Sequence, residues 1–353
     1  MLASLSLLVL AGCLGWWMGK EESTHVRQFA VQGSSMVPTF WGKSSQLKCD
    51  RCNLLWRVDR GAPTDSVRCW HCGEQVDPAG GIPLEPDVVR IHQAKRSLRR
   101  GDVVAVRWKD QLHLKRIAGV PGDSIRLDGS RLLFNEHRLE DLLTRESSAL
   151  LSVDLDSRRS LSHWQSESGW ERDESQCWIA CKGASPWLVY HHQSVQRGEH
   201  ASGVWDDYPS NVTLQRKLYG VDRFSLRGEL LDGSDVELEV AFWSAQGNRT
   251  ATRSMESPGQ FSLSYHETLP DDNLPVTKET PVAIRILSGP ATIKSLELLR
   301  QVEYRLRPHD DRIRYPITVP DGFCFVLGDN VPVSIDSREL GLIGVEKITG
   351  VIK

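Results

Sequence analysis

The stretch "LHLKRIAGVPGDSIRL", Leu112 to Leu127, decides the fold. Its first half repeats at period two, so side chains fall alternately on two faces of a strand. Pro121, Gly122 and Asp123 then form a turn signal, after which a second strand begins. Lys115 shares a face with His113 and Ile117, while Arg116 points the other way beside Leu114 and Ala118. A lysine on the inner face of such a strand is a candidate base. Its pKa must fall from about 10.4 to near neutrality, and the fall costs about 4 kcal/mol that apolar neighbours must enforce. The pattern allows that placement without proving it.

The surrounding sequence has the same character. Upstream, "PDVVRIHQAKRSLRRGDVVAVRW" reads as two strands around a basic turn, and downstream "RLLFNEHRL" (Arg131 to Leu139) reads as a hairpin. From about residue 148 to 307 the chain becomes a series of short alternating strands. Val236, Leu238, Val240 and Phe242 form one run; Phe261, Leu263 and Tyr265 another; Val282, Ile284 and Ile286 a third. Turns such as "LDGSD" and "SAQGN" separate them, which points to an antiparallel β-sandwich. The C-terminal "PDGFCFVLGDNVPVSIDSRELGLIGVEKITGVIK" returns to the earlier style, so the sandwich reads as an insertion.

Four cysteines occur as "CDRC" (Cys49, Cys52) and "CWHC" (Cys69, Cys72). Two such knuckles bring four thiolates around one Zn²⁺, a closed and therefore structural site. The alternative, two disulfides, would close very tight rings. His71 lies inside a knuckle and is read as a neighbour of the metal instead of a ligand. Cys177 and Cys181 are either a pair or two buried thiols.

Leu2 to Gly19, "LASLSLLVLAGCLGWWMG", contains no charge. At helical rise it spans about 27 Å, enough for a thin bilayer, and Trp16 and Trp17 sit where an interfacial anchor belongs. The reading adopted is a signal anchor. A lipoprotein signal ending at Cys13 and a buried core helix are the alternatives. The anchor and lipoprotein readings both place residues after 20 outside the cytoplasm. A net charge of -3 with average composition gives no sign of disorder or of nucleic-acid binding.

The stretch "VQGSSMVPTF", Val31 to Phe40, places two serines between Gly33 and Met36. A serine hydroxyl is a poor nucleophile until a base takes its proton. No histidine lies in a recognisable triad motif, although a histidine brought close only in space stays open, and a buried lysine such as Lys115 can take that role. At this point the chain resembles the bacterial type I signal peptidases, membrane-bound serine–lysine endopeptidases. Four segments carry the resemblance, in the family's order: "GSSMVPT", "RRGDVVAV", "KRIAGVPGD" and "GDNVPVSIDSRELGLI". The resemblance implies Ser35 as nucleophile and Lys115 as general base. It implies Ser334 hydrogen-bonded to the lysine amine, and Asp336 with Arg338 as a supporting ion pair. Gly33, Asp329 and Asn330 are further supporting positions, and Met36 and Pro38 are expected beside the substrate. Some members carry an oxyanion-binding hydroxyl where this chain has Gly33, and many carry Arg-Asp where it has Val331 and Pro332.

The expected fold is therefore mainly β: a signal-peptidase-like β catalytic core behind one N-terminal transmembrane helix, with an inserted zinc ribbon and an inserted antiparallel β-sandwich. The expected boundaries are residues 1–20 for the anchor; 21–46, 81–147 and 308–353 for the core; 47–80 for the ribbon; and 148–307 for the sandwich. The implied activity is removal of signal peptides after small residues, by a single-pass protein of the cytoplasmic membrane facing outward. No catalytic cofactor is implied, and structural zinc is. The implied partners are secretory preproteins and membrane lipid. A ligand of the sandwich is also open, with Trp187, Trp205 or Trp243 as platforms, although core packing is the blander role. Two other readings are a self-cleaving repressor of the same serine–lysine fold and an anchored binding module with an inactive core. The N-terminal apolar stretch argues against the first, and the presence of Ser35 and Lys115 against the second.

Overall fold

The computed structural model describes residues 27–59, 65–93, 97–144, 146–156, 162–180, 185–195, 200–212, 214–265, 269–271 and 273–352. The expected anchor Leu2 to Gly19, with Cys13, Trp16 and Trp17, lies outside these residues, as does Cys181. Among the described residues, no helix is long and apolar enough to cross a membrane.

The lysine strand, Gln111–Gly119, is central to a seven-stranded antiparallel sheet. In spatial order the strands are Arg27–Ala30, Val88–His92, Ile348–Ile352, Val103–Trp108, Gln111–Gly119, Phe323–Leu327 and Ile343–Gly344. Alternation sends Ile117 and Val326 to one side, where they pack with Val104, Val106 and Ile343. Ala118, Phe325 and Leu327 face the other side and join a second core with Ile125, Phe134 and Tyr304. A four-stranded sheet supplies part of that second core. It contains Ser124–Asp128, Arg131–Phe134, His137–Arg138 and Ile317–Thr318. The hairpin expected over Arg131 to Leu139 is formed, with Asn135 and Glu136 at positive φ in its turn. The sheet thus has buried surface on both faces at the lysine end. Arg116 consequently has no route to solvent on its side of the strand and is only 2% exposed.

The ribbon leaves and rejoins this sheet at one neck. Asp87 closes it by accepting from the backbone N–H groups of Val31 and Trp41 and donating its own N–H to the Trp41 carbonyl. Within the ribbon, Ser44–Lys48 pairs with both Leu55–Asp59 and Ile82–Leu84. Trp56, Leu47 and Leu54 pack around the buried cysteines.

The sandwich enters through Leu150–Asp156 and leaves through Ala291–Gln301, and these strands are antiparallel neighbours with Leu150 opposite Gln301. Entry and exit therefore lie side by side, which lets a large insertion sit on the core without separating its halves. The three alternating runs read from the sequence point into one hydrophobic core between the two sheets. Trp164, Trp170 and Trp178 are in the same core, which accounts for part of the tryptophan content. Trp187 and Trp205 are half-buried beneath Arg285 and Lys278, and Trp243 packs against the core edge.

Candidate active site

Ser35 sits in the turn that follows Arg27–Ala30. Val37 N–H donates to the Ser34 carbonyl and Phe40 N–H to the Met36 carbonyl, so the segment folds back on itself. Met36 and Val37 are driven inward, Met36 to 1% exposure. Met36, expected beside substrate, is thus buried within this turn. Pro38 is half-buried. Gly33 has φ +71°, a conformation that residues with a side chain rarely adopt, so this backbone does not favour a hydroxyl residue there.

Lys115 Nζ lies 3.0 Å from Ser35 Oγ, although the two residues are eighty positions apart. The lysine is 4% exposed. Burial pushes its amine down to about 8; Asp336 and Asp329 nearby partly hold it up, and Arg338 pushes it lower. Beside it, burial and the Lys115 charge also lower His113. A shallow groove runs past the lysine, lined by Val106, Trp108, His113, Ile335 and Ile343. Phe323–Leu327 pairs with Arg116, Ile117 and Gly119, and in the described ladder Gln111 to Lys115 are paired on one side, to Val103–Trp108.

The segment Gly328 to Arg338 wraps behind the serine. Asn330 N–H donates to the Ser35 carbonyl at 3.0 Å and its side-chain amide to the Ser34 carbonyl at 3.0 Å. Gly328 is required by close approach: a Cβ there would lie 2.5 Å from the Ser35 carbonyl oxygen and 2.1 Å from Ser334 Oγ. Asp336 and Arg338 form a fully buried two-pronged ion pair at 2.8 and 2.7 Å. Burial alone would raise the Asp336 carboxyl, but Arg338 beside it holds it below the usual range. Ser334 is also fully buried, and the hydrogen bond expected from it to Lys115 is not formed. Its Oγ has no hydrogen-bond partner among the described residues, while its carbonyl accepts from Arg307 and Arg338.

Asp329 faces a different group. Its carboxylate pairs with Arg116 at 2.8 and 2.5 Å and also accepts from Thr39 and Tyr304. The next residue to Lys115 thus ties the last segment to the serine segment through a buried ion pair. Nothing in the local pattern around Arg116 announces this, because the partner is more than two hundred residues away.

Two more participants come from the large insertion. Tyr208 donates from its hydroxyl to the Asp329 carbonyl at 2.6 Å. Asn211 exchanges two side-chain hydrogen bonds with Asn330, at 2.8 and 3.0 Å. These residues lie in an irregular stretch of the sequence, where no periodicity points to a partner.

Cys49, Cys52, Cys69 and Cys72 come together away from this site. Cys49 and Cys72 sulfurs are 3.5 Å apart, those of Cys52 and Cys69 3.7 Å, and all four fall within 4.8 Å of one another. Thiolates at about 2.3 Å from one ion in a tetrahedron are about 3.8 Å apart, so the set can hold a structural metal. Both knuckles share one backbone pattern. Asn53 N–H donates to the Cys49 carbonyl and Gly73 N–H to the Cys69 carbonyl, and the first cysteine of each pair closes a second turn. Hydrogen bonding from Cys52 is the main cause that holds the Cys69 thiol down at about 5.

A family model described as signal peptidase, peptidase S26, matches residues 21–174 and 287–353, well over half of the chain. The unmatched interval falls within the sandwich insertion. No curated protein matches the chain.

Proposed function

The chain belongs to the S26 signal peptidase family, and from that premise we propose that it is a membrane-anchored endopeptidase in which Ser35 and Lys115 form the catalytic dyad. One observation carries the reading: a buried lysine amine, held near 8, lies 3.0 Å from a serine hydroxyl. In the neutral state Lys115 takes the Ser35 proton as Oγ attacks the scissile carbonyl, then gives it to the leaving amine. Ser35 N–H is the first oxyanion donor. Gly33 has no side chain with which to supply the second, so the donor is a backbone amide or a water.

The substrate is a secretory precursor bound as an extended strand. The half-paired edge from Gln111 to Lys115 supports this placement, because its outer hydrogen-bonding groups lie beside the dyad. The shallow groove past Lys115 supports a preference for small side chains near the cleavage point. The uncharged stretch Leu2 to Gly19 is the proposed anchor in the cytoplasmic membrane, with the catalytic core outside the cytoplasm. The four cysteines are proposed to hold a structural Zn²⁺, which takes no part in the reaction.

The test is cleavage of a precursor carrying an Ala-x-Ala site by the detergent-solubilised full chain. Wild type and Ser34→Ala should cleave, whereas Ser35→Ala and Lys115→Ala should lose activity by at least about 10³-fold. Loss in Ser34→Ala with retention in Ser35→Ala would move the nucleophile by one position. A folded, membrane-inserted wild type that cleaves nothing would remove the reading.

A further inference from the structure

His71, Asp154 and His163 meet where the ribbon rests on the sandwich. His71 comes from the second knuckle, Asp154 from the first strand of the insertion, and His163 from the residue pair leading into the strand Trp164–Gln165 of the opposite sheet. His71 Nδ1 lies 3.0 Å from Asp154 Oδ1 and His163 Nδ1 lies 3.8 Å from the same oxygen. One donor atom from each residue falls within 4.8 Å of the others. The two imidazole rings are 4.4 Å apart between centroids.

Three features distinguish this group from an ordinary ion pair. His71 and Asp154 are both buried, at 3% and 1% exposure, so the pair is shielded from solvent. Among the described residues, neither ring nitrogen of His71 makes a hydrogen bond, although Nδ1 is at contact distance from the carboxylate, so the ring does not aim an N–H at it. Asp154 also sits at a bulge. The register against Ala291–Gln301 shifts between Ser152 and Asp154, and Val153 and Asp154 are buried in succession where alternation would expose one. Bulges re-aim side chains in this way next to sites. Ligands about 2.1 Å from one ion lie about 3.0 to 3.5 Å apart, and the two separations to the Asp154 oxygen, 3.0 and 3.8 Å, bracket that range.

We propose that His71, Asp154 and His163 bind a second divalent metal ion of the zinc class, which pins the ribbon to the sandwich. Two imidazoles and a carboxylate suit a borderline transition metal. His71 then serves two sites at once. Its backbone N–H supports the Cys69 sulfur, while its ring turns to the second ion. His71, read from the sequence as a neighbour of the cysteine site, thus gains a ligand role of its own at the second one. The three ligands belong to segments joined by no local sequence, so the ion acts as a crosslink.

Metal-depleted full chain in detergent is reloaded with Zn²⁺ and counted by mass spectrometry, and a parallel sample takes Co²⁺. Wild type should bind about two ions per chain, and His163→Ala and Asp154→Asn about one each. Both variants should keep the strong thiolate-to-cobalt absorption, which reports an intact cysteine site. Equal metal content in wild type and variants overturns the proposal. Zinc X-ray absorption on wild type gives an answer that needs no variant. A mixed sulfur and nitrogen/oxygen shell supports the second site, and an all-sulfur shell overturns it.

Discussion

The side-chain amides of Asn211 and Asn330 are joined by two hydrogen bonds, each amide donating to the other's carbonyl oxygen. Asn330 in turn holds the carbonyls of Ser34 and Ser35. The insertion therefore braces the segment that supports the nucleophile and is more than an appendage on the core.

Asn211→Ala should lower kcat by about 5- to 20-fold with KM little changed, since each amide hydrogen bond contributes about 1 kcal/mol net. Steady-state kinetics on an Ala-x-Ala precursor would check it. Unchanged kcat would mean that Asn330 holds its position without the insertion.

Activity should rise with pH. The base must be neutral, so with the Lys115 amine at about 8, kcat/KM should increase about tenfold per unit below that value and level off above it. Lys115→Arg should not rescue at any pH up to 10, because guanidinium stays protonated. A flat profile between pH 6 and 9 would contradict the assignment.

Stability should show the same group with a defined sign. Between about 8 and about 10.4 the unfolded chain holds a proton on Lys115 that the folded chain has lost, so this residue's contribution to stability rises with pH across that window. Below it, burying the charged amine costs about 3 kcal/mol. Lys115→Met should therefore be more stable than wild type at pH 7, with the advantage shrinking toward pH 10. Denaturant midpoints at the two pH values measure this.

Ser334→Ala separates structure from chemistry. Among the described residues the buried hydroxyl has no hydrogen-bond partner, so removing it should leave the melting temperature unchanged or slightly higher. If the hydroxyl turns to the lysine amine during catalysis, kcat should fall by about tenfold or more. A variant that melts earlier and cleaves normally would mean that Ser334 is only packing.

Arg116→Met leaves Asp329 as an uncompensated buried carboxylate with Thr39 and Tyr304 as its remaining donors. It should destabilise the core by about 3 to 5 kcal/mol. Urea unfolding followed by tryptophan fluorescence reads that loss, and a change under about 1 kcal/mol would mean the pair is dispensable.

The local features were legible in the sequence because each depends on near neighbours. Alternation marks strands such as Val236–Phe242, Cys-x-x-Cys pairs mark knuckles, and Pro-Gly-Asp marks the turn after the lysine strand. The order of four short segments pointed to the family and to Ser35 and Lys115. What tertiary structure alone decided is which distant groups meet: Arg116 with Asp329, Asn211 with Asn330, His71 with Asp154 and His163. A strand period assigns a side chain to a face and says nothing of what covers that face. Arg116 faces away from Lys115, as alternation requires, yet it is buried because the second core and the Gly328 to Arg338 segment close over that side of the sheet.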